Sequence, residues 1–417
     1  MFKDNTIYYG DNVDILQQFP EESVDLIYAD PPFFSNRLYE IIWGEKFEKR
    51  AFEDRWAGGS KGINTYLEWM KPRLQACERV LKKTGTMYLH CDSHAGHYLK
   101  TIMDGIFGYT HFRNEIIWFY PDSPGRPHKD FPSKHDTIFR YVKSNEWTFN
   151  DKDIRVPILE ASKERYKSPR ILGGHKYLGG EAAKIGKIPE DVWRIPVVKQ
   201  NSAEALGYPT QKPLPLLERI VLASSNKNDI VLDPFCGCGT TLEAAQKEGR
   251  KWVGIDISYT ACKEMAKRLR KLGVHAEILG EPSTMKDLEK MKPFEFQNWV
   301  LNRIYGRANP KKSGDEGIDG WTFNGDPVQV KQMHKVGDER VRLLFGDLQR
   351  LDKKFGAIIA FSFSNVATER ANEFKLQHGV EIKLVTIDEI LKKAEIIFSE
   401  EKEDAKEEKQ DENQSAL

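Results

Sequence analysis

Three things are scarce in this sequence of 417 residues, and each scarcity removes a class of protein. Cysteine occurs five times (Cys77, Cys91, Cys236, Cys238 and Cys262), an odd number at irregular spacing that speaks against a disulfide framework. No apolar run approaches the length needed to cross a bilayer. The opening segment MFKDNTIYYG lacks the apolar stretch of a signal peptide, so a cytoplasmic protein without membrane contact is expected. An excess of one charge sign is missing as well, since 63 Lys and Arg balance 63 Asp and Glu. Such neutrality looks wrong for a nucleic-acid-binding protein, because phosphate contacts need cations. The average hides an uneven distribution. The segment SEEKEDAKEEKQDENQSAL, 399–417, carries a surplus of about five negative charges and reads as a disordered acidic tail. Without it the body is mildly basic.

What is present fits an ordinary globular chain long enough for two or three domains, with 40% hydrophobic and 30% charged residues. TIYYG and VDLIYA read as strands joined by a short helix over NVDILQQF. TYLEWMKPRLQACERVL has helical spacing, with Pro72 expected to kink the helix or delay its start. Gly85 is expected to end that helix before a strand GTMYLHCD. Strand, helix, strand, helix points to an α/β domain with a mostly parallel sheet. Between Arg113 and Asn201 the rhythm is lost, and segments such as YPDSPGRPHKDFPSKHD and KSPRILGGHKYLGG have the texture of recognition loops on a scaffold. From Tyr208 it returns, with YPTQKPLPLLERIVLASS as loop and helix. A charged linker, EPSTMKDLEKMK at 281–292, then leads to a separate α/β unit at 293–398.

The segment DIVLDPFCGCGTTLEAAQKEGRKWVGIDIS is strand, Gly-rich turn, helix and strand, ending in an acidic residue. Gly237 and Gly239 let the backbone approach a ligand at the edge of a sheet. Asp256 can accept hydrogen bonds from both hydroxyls of a ribose. Such a unit alone fits a nicotinamide or flavin protein equally well. Asp233, however, leads the turn in place of the pattern that cradles a pyrophosphate, and a carboxylate there suits a cationic sulfonium better. Cys236 and Cys238 have no second pair at zinc-ligand spacing.

Asp30-Pro31-Pro32-Phe33 follows VDLIYA directly. The prolines hold the Asp30 carboxylate and the Pro31 carbonyl rigidly. Two acceptors on the N–H groups of an exocyclic amine would draw its nitrogen toward a tetrahedral form and aim the lone pair at a methyl group. Positioning then supplies most of the acceleration. Phe33 offers a flat face to a base rotated out of a duplex.

Taken in order, these motifs resemble the β-group of DNA amino-methyltransferases, which modify adenine N6 or cytosine N4. There the tetrapeptide precedes the recognition region and the cofactor loop comes last. The resemblance covers about the first two-thirds of the chain and implies S-adenosylmethionine as cofactor. By that resemblance Asp233, Phe235, Gly237 and Gly239 border the cofactor and Asp256 binds its ribose. Asp11, in YYGD, contacts its adenine ring, and Thr210 and Lys212 lie near its methionine end. The fold implied is a seven-stranded, doubly wound Rossmann-like sheet, circularly permuted, with one strand reversed. Phe33 stands where Tyr is commoner. An initial Asp favours adenine, with cytosine N4 as the alternative.

In LHCDSHAGHYLK, residues His90, Cys91, Asp92, His94 and His97 resemble a metal site, yet the strand end turns alternate residues to opposite faces. The similar strand end of the β-group borders the active site and explains them without a metal. Further on, GDEGIDGWTFNGDPVQVKQ sets an acid at a turn before two strands and Gln-x-Lys, the skeleton of a metal-dependent phosphodiesterase. Asp319 would bind a divalent cation such as Mg²⁺, and Lys331 would orient water or steady charge. Gln329 replaces a second carboxylate, and Glu295 could assist. Asp315 and Glu316 read as a solvated turn. The segment resembles the Mrr-like branch of PD-(D/E)xK nucleases, a smaller restriction-endonuclease-like domain in which cleavage is left open against DNA binding alone.

The expectation is therefore a methyltransferase domain at 1–280, with target recognition at 113–201, followed by the linker, the nuclease-like domain and the tail. It acts on double-stranded DNA in restriction-modification, and homodimer formation is left open. The rival class is a DNA-binding module without catalysis.

Overall fold

The computed structural model describes residues 2–34, 37–43, 47–54, 59–121, 129–158, 170–172, 175–177, 185–199, 201–202, 204–206, 210–304, 307–308, 317–322 and 324–392. The expected acidic tail, Tyr208, Asp315, Glu316 and parts of the expected recognition loops lie outside the described residues. Contacts divide the chain into two units, Met1–Glu40 with Arg50–Gly280 and Ile41–Lys49 with Glu281–Leu417.

The first unit is built on a nine-stranded sheet. In chain order its strands are β1 (Thr6–Tyr9), β2 (Val24–Ala29), β3 (Leu81–Cys91), β4 (Phe112–Phe119), β5 (His135–Val142), β6 (Val192–Arg194), β7 (Ile230–Asp233), β8 (Lys251–Asp256) and β9 (Glu277–Leu279). Across the sheet they run β6-β4-β5-β3-β2-β7-β8-β1-β9. Among these strands β5 alone runs against its neighbours. The count exceeds the seven expected, with three-residue strands β6 and β9 at the edges. Ile7, Leu26, Ile27, Val231, Leu232 and Val253 are wholly buried. Parallel strands covered on both faces need such apolar runs, which is why TIYY, VDLIYA and IVLD read so clearly.

Helix Gly59–Val80 covers the sheet with Tyr66, Met70, Leu74 and Cys77, a stripe at helical spacing that is almost fully buried. The helix continues through Pro72 instead of starting after it. Proline forgoes one backbone hydrogen bond there, and the buried stripe on both sides outweighs that loss. Nor does Gly85 end the helix. Strand β3 begins at Leu81, and its pairing with β2 jumps from Val24↔Leu81 to Leu26↔Thr86, so residues 82–85 bulge around Gly85. The stretch 113–201 also holds more order than its texture suggested, since β4, β5 and β6 extend the sheet and Arg170–Leu172 pairs with His175–Tyr177.

In the second unit five strands, β10 (Arg307–Ala308), β11 (Gly320–Trp321), β12 (Pro327–Lys331), β13 (Phe355–Ala360) and β14 (Glu381–Thr386), lie side by side in chain order. The first two pairings are antiparallel and the last two parallel. Val341, Leu344 and Leu348 of helix Asp338–Arg350 pack against Ile358 and Ile382. The expected linker is not plain coil. It carries a short helix, Met285–Lys290, closed by a capping box between Thr284 and Asp287.

Candidate active site

Strands β2, β7, β8 and β1 are adjacent and parallel, so their C-terminal ends open on one edge of the sheet. Asp30, Asp233, Asp256 and Asp11 stand at those four ends, and one cavity is lined by all of them. Ligands of open α/β sheets bind at such an edge. Pro31, Pro32, Phe33, Thr210, Lys212, Phe235 and Gly237 also line it. Gly239 does not. It caps helix Thr240–Lys247 in the left-handed conformation at φ +79°, where a Cβ would lie 2.8 Å from Met265 Cγ.

The carboxylates are held in different ways. Asp233 is buried, with Oδ1 accepting from the Phe235 amide at 3.0 Å and Oδ2 from Thr241 Oγ1 at 2.5 Å. Burial, with the charges of Asp30 and Asp256 adding, pushes its carboxyl up to about 7. Asp256 accepts from the amides of Gly237 and Ser258 at 2.8 Å each, and burial raises it to about 6. Asp11 caps helix Asn12–Leu16 through the Val13 amide at 2.9 Å, and its other oxygen receives the Arg73 guanidinium. Arg73 in turn lies 3.8 Å over the Trp69 ring.

Asp30 is held at one oxygen only. Its Oδ2 accepts from Lys212 Nζ at 2.5 Å, while Oδ1 is buried and has no hydrogen-bond partner among the described residues. The tetrapeptide is anchored by the Tyr66 hydroxyl, which donates to the Pro32 carbonyl at 2.7 Å. It ends in a sharp turn at Phe34, φ +62°. The Phe33 ring is stacked on His90 at 5.5 Å and has Lys212 Nζ 5.0 Å from its centre.

His90 is fully buried and bonded at both nitrogens, to the Tyr28 hydroxyl at 2.7 Å and to Asp136 at 3.1 Å. His94 pairs instead with Asp92 at 2.7 Å on the exposed side, so the histidine-rich segment is split between two environments. All five cysteines are free and buried. Among the described residues no group of three or more His, Cys, Asp or Glu could hold a metal ion. Sequence reasoning missed Tyr28, Trp69, Arg73 and Asp136. The Trp69–Arg73 spacing of one helical turn was visible, but its aim at Asp11 was not.

The second unit brings part of its candidate set together. Asp319 Oδ2 accepts from Lys331 Nζ at 3.0 Å and from the Val330 amide at 2.7 Å, and its carbonyl accepts from Gln297 at 2.8 Å. Gln329 is buried, and its Oε1 has no partner among the described residues. Glu295 stands two positions before Gln297 in helix Pro293–Arg303, a spacing that sets the two side chains on different faces.

The family model for DNA methylases acting at N6 or N4 matches residues 24–268, more than half of the chain. The chain belongs to the N6/N4 DNA methylase family. The match contains Asp30, His90, Lys212, Asp233 and Asp256 and ends before Glu281, where the longer segment of the second unit begins. DNA adenine methyltransferase YhdJ of Escherichia coli is 34% identical over 265 residues, 63% of this chain and 82% of that protein. Type II methyltransferase M.HpaI of Haemophilus parainfluenzae is 32% identical over 343 residues, 82% of this chain and 96% of that protein. Type II methyltransferase M.BglII of Bacillus subtilis is 33% identical over 260 residues, 61% of this chain and 65% of that protein. Among the described residues no helix of this family member is long and apolar enough to cross a membrane.

Proposed function

We propose that this DNA methylase transfers the methyl group of S-adenosylmethionine to N6 of adenine in duplex DNA, within restriction-modification. The observation that carries the reading is Asp30, which lines the same cavity as the Asp233–Gly237 bend and whose buried Oδ1 has no hydrogen-bond partner among the described residues. The residues present suit the cofactor. Asp256 offers its carboxylate at the ribose position, Asp11 caps the purine end, and Asp233 sets negative charge where a cation would rest. Asn12 Oδ1, also buried and without a partner among the described residues, is a further acceptor there. When bound, the cofactor supplies an electrophilic methyl on a cationic sulphur.

The chain's own residues then have simple tasks. Asp30 Oδ1 accepts one N–H of the target amine and the Pro31 carbonyl accepts the other, directing the nitrogen lone pair toward the methyl. Lys212 holds the second oxygen of Asp30, so the first keeps its aim. Phe33, backed by His90, gives the extruded base a surface to stack on. The nitrogen becomes acidic only after methylation, so Asp30 need not be a strong base. An initial Asp in the tetrapeptide and the likeness to an adenine methyltransferase support adenine over cytosine. The cofactor loop follows the tetrapeptide in the chain while lying on the adjacent strand, the order a circularly permuted sheet would have.

Expression in a methylase-deficient host, followed by sequencing that detects modified bases, tests this reading. N6-methyladenine at one recurrent sequence is expected. N4-methylcytosine would move the target to the alternative base, and unmodified DNA with retained binding would favour a binding module.

A second reading concerns the second unit alone. The Asp319–Lys331 pair, beside the buried amide oxygen of Gln329, supports a phosphodiesterase site of the Mrr-like kind. Asp319 and Gln329 offer the oxygen donors that Mg²⁺ prefers, and the ion would supply charge to a developing phosphorane.

A further inference from the structure

We propose that His90 is a positioning residue for methyl transfer, fixing Tyr28 and Phe33 beside Asp30 and tying them through Asp136 to strands β4 and β5. The inference rests on the methyltransferase reading above.

The hydrogen bonds define the orientation of the ring. Asp136 Oδ2 can only accept, so the His90 Nε2 opposite it, at 3.1 Å, carries the proton. The Nδ1 is hydrogen-bonded to the Tyr28 hydroxyl at 2.7 Å. The other oxygen of Asp136 accepts from the Tyr120 hydroxyl at 2.8 Å. Burial would push the Asp136 carboxyl up, but the hydrogen bond and charge interaction with His90, the nearby Lys212 charge and the hydrogen bond from Tyr120 outweigh it and hold the group below its ordinary range. Four side chains from four segments thus form one closed line: Tyr120 after β4, Asp136 on β5, His90 on β3 and Tyr28 on β2.

That line ends at the catalytic tetrapeptide. Tyr28 and Asp30 are two residues apart along an extended chain, so they leave it on the same side. Both line the cavity. The imidazole face carries the Phe33 ring at 5.5 Å with 26° between planes, and Trp118 of β4 meets the imidazole edge-on at 5.6 Å. A histidine free to rotate would be a poor floor for an aromatic ring. With both nitrogens bonded in a buried site, rotation would break two hydrogen bonds at once, and the floor stays fixed. A purely structural histidine would need no contact with Phe33 or with a tyrosine of the cavity wall.

The test uses the full chain, tritiated-methyl S-adenosylmethionine and unmethylated plasmid DNA, with protein in excess so that one turnover is read. His90→Phe keeps a ring beneath Phe33 but removes both hydrogen bonds, and Asp136→Asn removes the charge and can reverse the ring tautomer. Each is expected to slow the single-turnover rate by about 10–100-fold, the scale of a misplaced reacting group. Cofactor affinity by calorimetry should stay within about threefold, and the double variant should be no slower than His90→Phe alone, because the two act as a unit. Wild-type rates in both variants would overturn the proposal, as would losses that saturating cofactor restores or that add in the double variant. Should His90→Phe fail to fold, Tyr120→Phe, which removes one hydroxyl, carries the same comparison with about a 3–10-fold loss expected. A wild-type protein that labels no DNA would overturn the methyltransferase reading itself, a distinct result.

Discussion

Lys212 and Asp30 are 182 positions apart in the chain, and their ammonium and carboxylate meet at 2.5 Å. Both are largely buried, so the pair cannot be exchanged cheaply for water. Its consequence is asymmetry: one oxygen of Asp30 is held and the other has no partner among the described residues. Lys212→Met keeps the length of the side chain and deletes the donor. Single-turnover methyl transfer is expected to fall by about 10–100-fold, because Asp30 is free to turn. A rate within about twofold of wild type would show that Asp30 is oriented by something else.

The buried carboxylates make stability depend on pH. Asp233 titrates at about 7 in the folded protein, against about 3.9 for an unfolded Asp. Its folded value is raised, so its contribution is fully present below about pH 4 and is lost as pH rises through 7. Asp256, at about 6, acts with the same sign. The melting temperature of the cofactor-free protein should therefore fall between pH 5 and 8. Asp233→Asn should remove much of that slope, on the order of 2–4 kcal/mol at pH 8. Calorimetric scans of both proteins across the range decide it, and parallel curves would contradict it. A cationic ligand favours the ionised form, so cofactor affinity should rise over the same window.

Glycine at 239 is required, whereas glycine at 346 is not. Gly239→Ala forces a Cβ at φ +79° to within 2.8 Å of Met265 and should cost about 1–3 kcal/mol. Gly346 lies inside helix Asp338–Arg350, and a Cβ there meets nothing within 4 Å. Alanine at that position should add about 0.5–1 kcal/mol. Urea denaturation of the two variants should move the midpoint in opposite directions.

For the second unit, the proposed phosphodiesterase reading is tested by nicking of unmethylated plasmid with Mg²⁺, which Lys331→Ala should reduce by about 10²-fold or more, while binding without nicking would leave the unit a DNA-binding module. Nicking that persists in this variant would remove Lys331 from the mechanism.

The central strands were legible because parallel strands buried on both faces must be apolar throughout, and the carboxylates were visible as the residues that follow them. Strands β4 and β5 were not. FRNEIIWF and HDTIFRYV carry charge at their starts, and flanking Pro-, Gly- and aromatic-rich segments suggested loops. Helix Gly59–Val80 was misjudged at both ends, because Pro72 and Gly85 were weighed as local breakers. Packing of Tyr66, Met70 and Leu74 overrides the first, and a bulge in β3 absorbs the second. His90 drew notice for its sequence neighbours Cys91, Asp92 and His94, yet its partner is Asp136, 46 positions onward. Only the pairing of β3 with β5 brings that carboxylate to the ring.

Asp30 Oδ1, without a partner among the described residues, is the proposed acceptor of the target amine. Asp30→Asn preserves shape while replacing one acceptor oxygen by a donor. Single-turnover transfer of labelled methyl to unmethylated DNA should fall by about 10³-fold, with cofactor affinity changed by less than about threefold. Transfer at the wild-type rate by this variant would contradict the assignment of Asp30 as the group that receives the target amine.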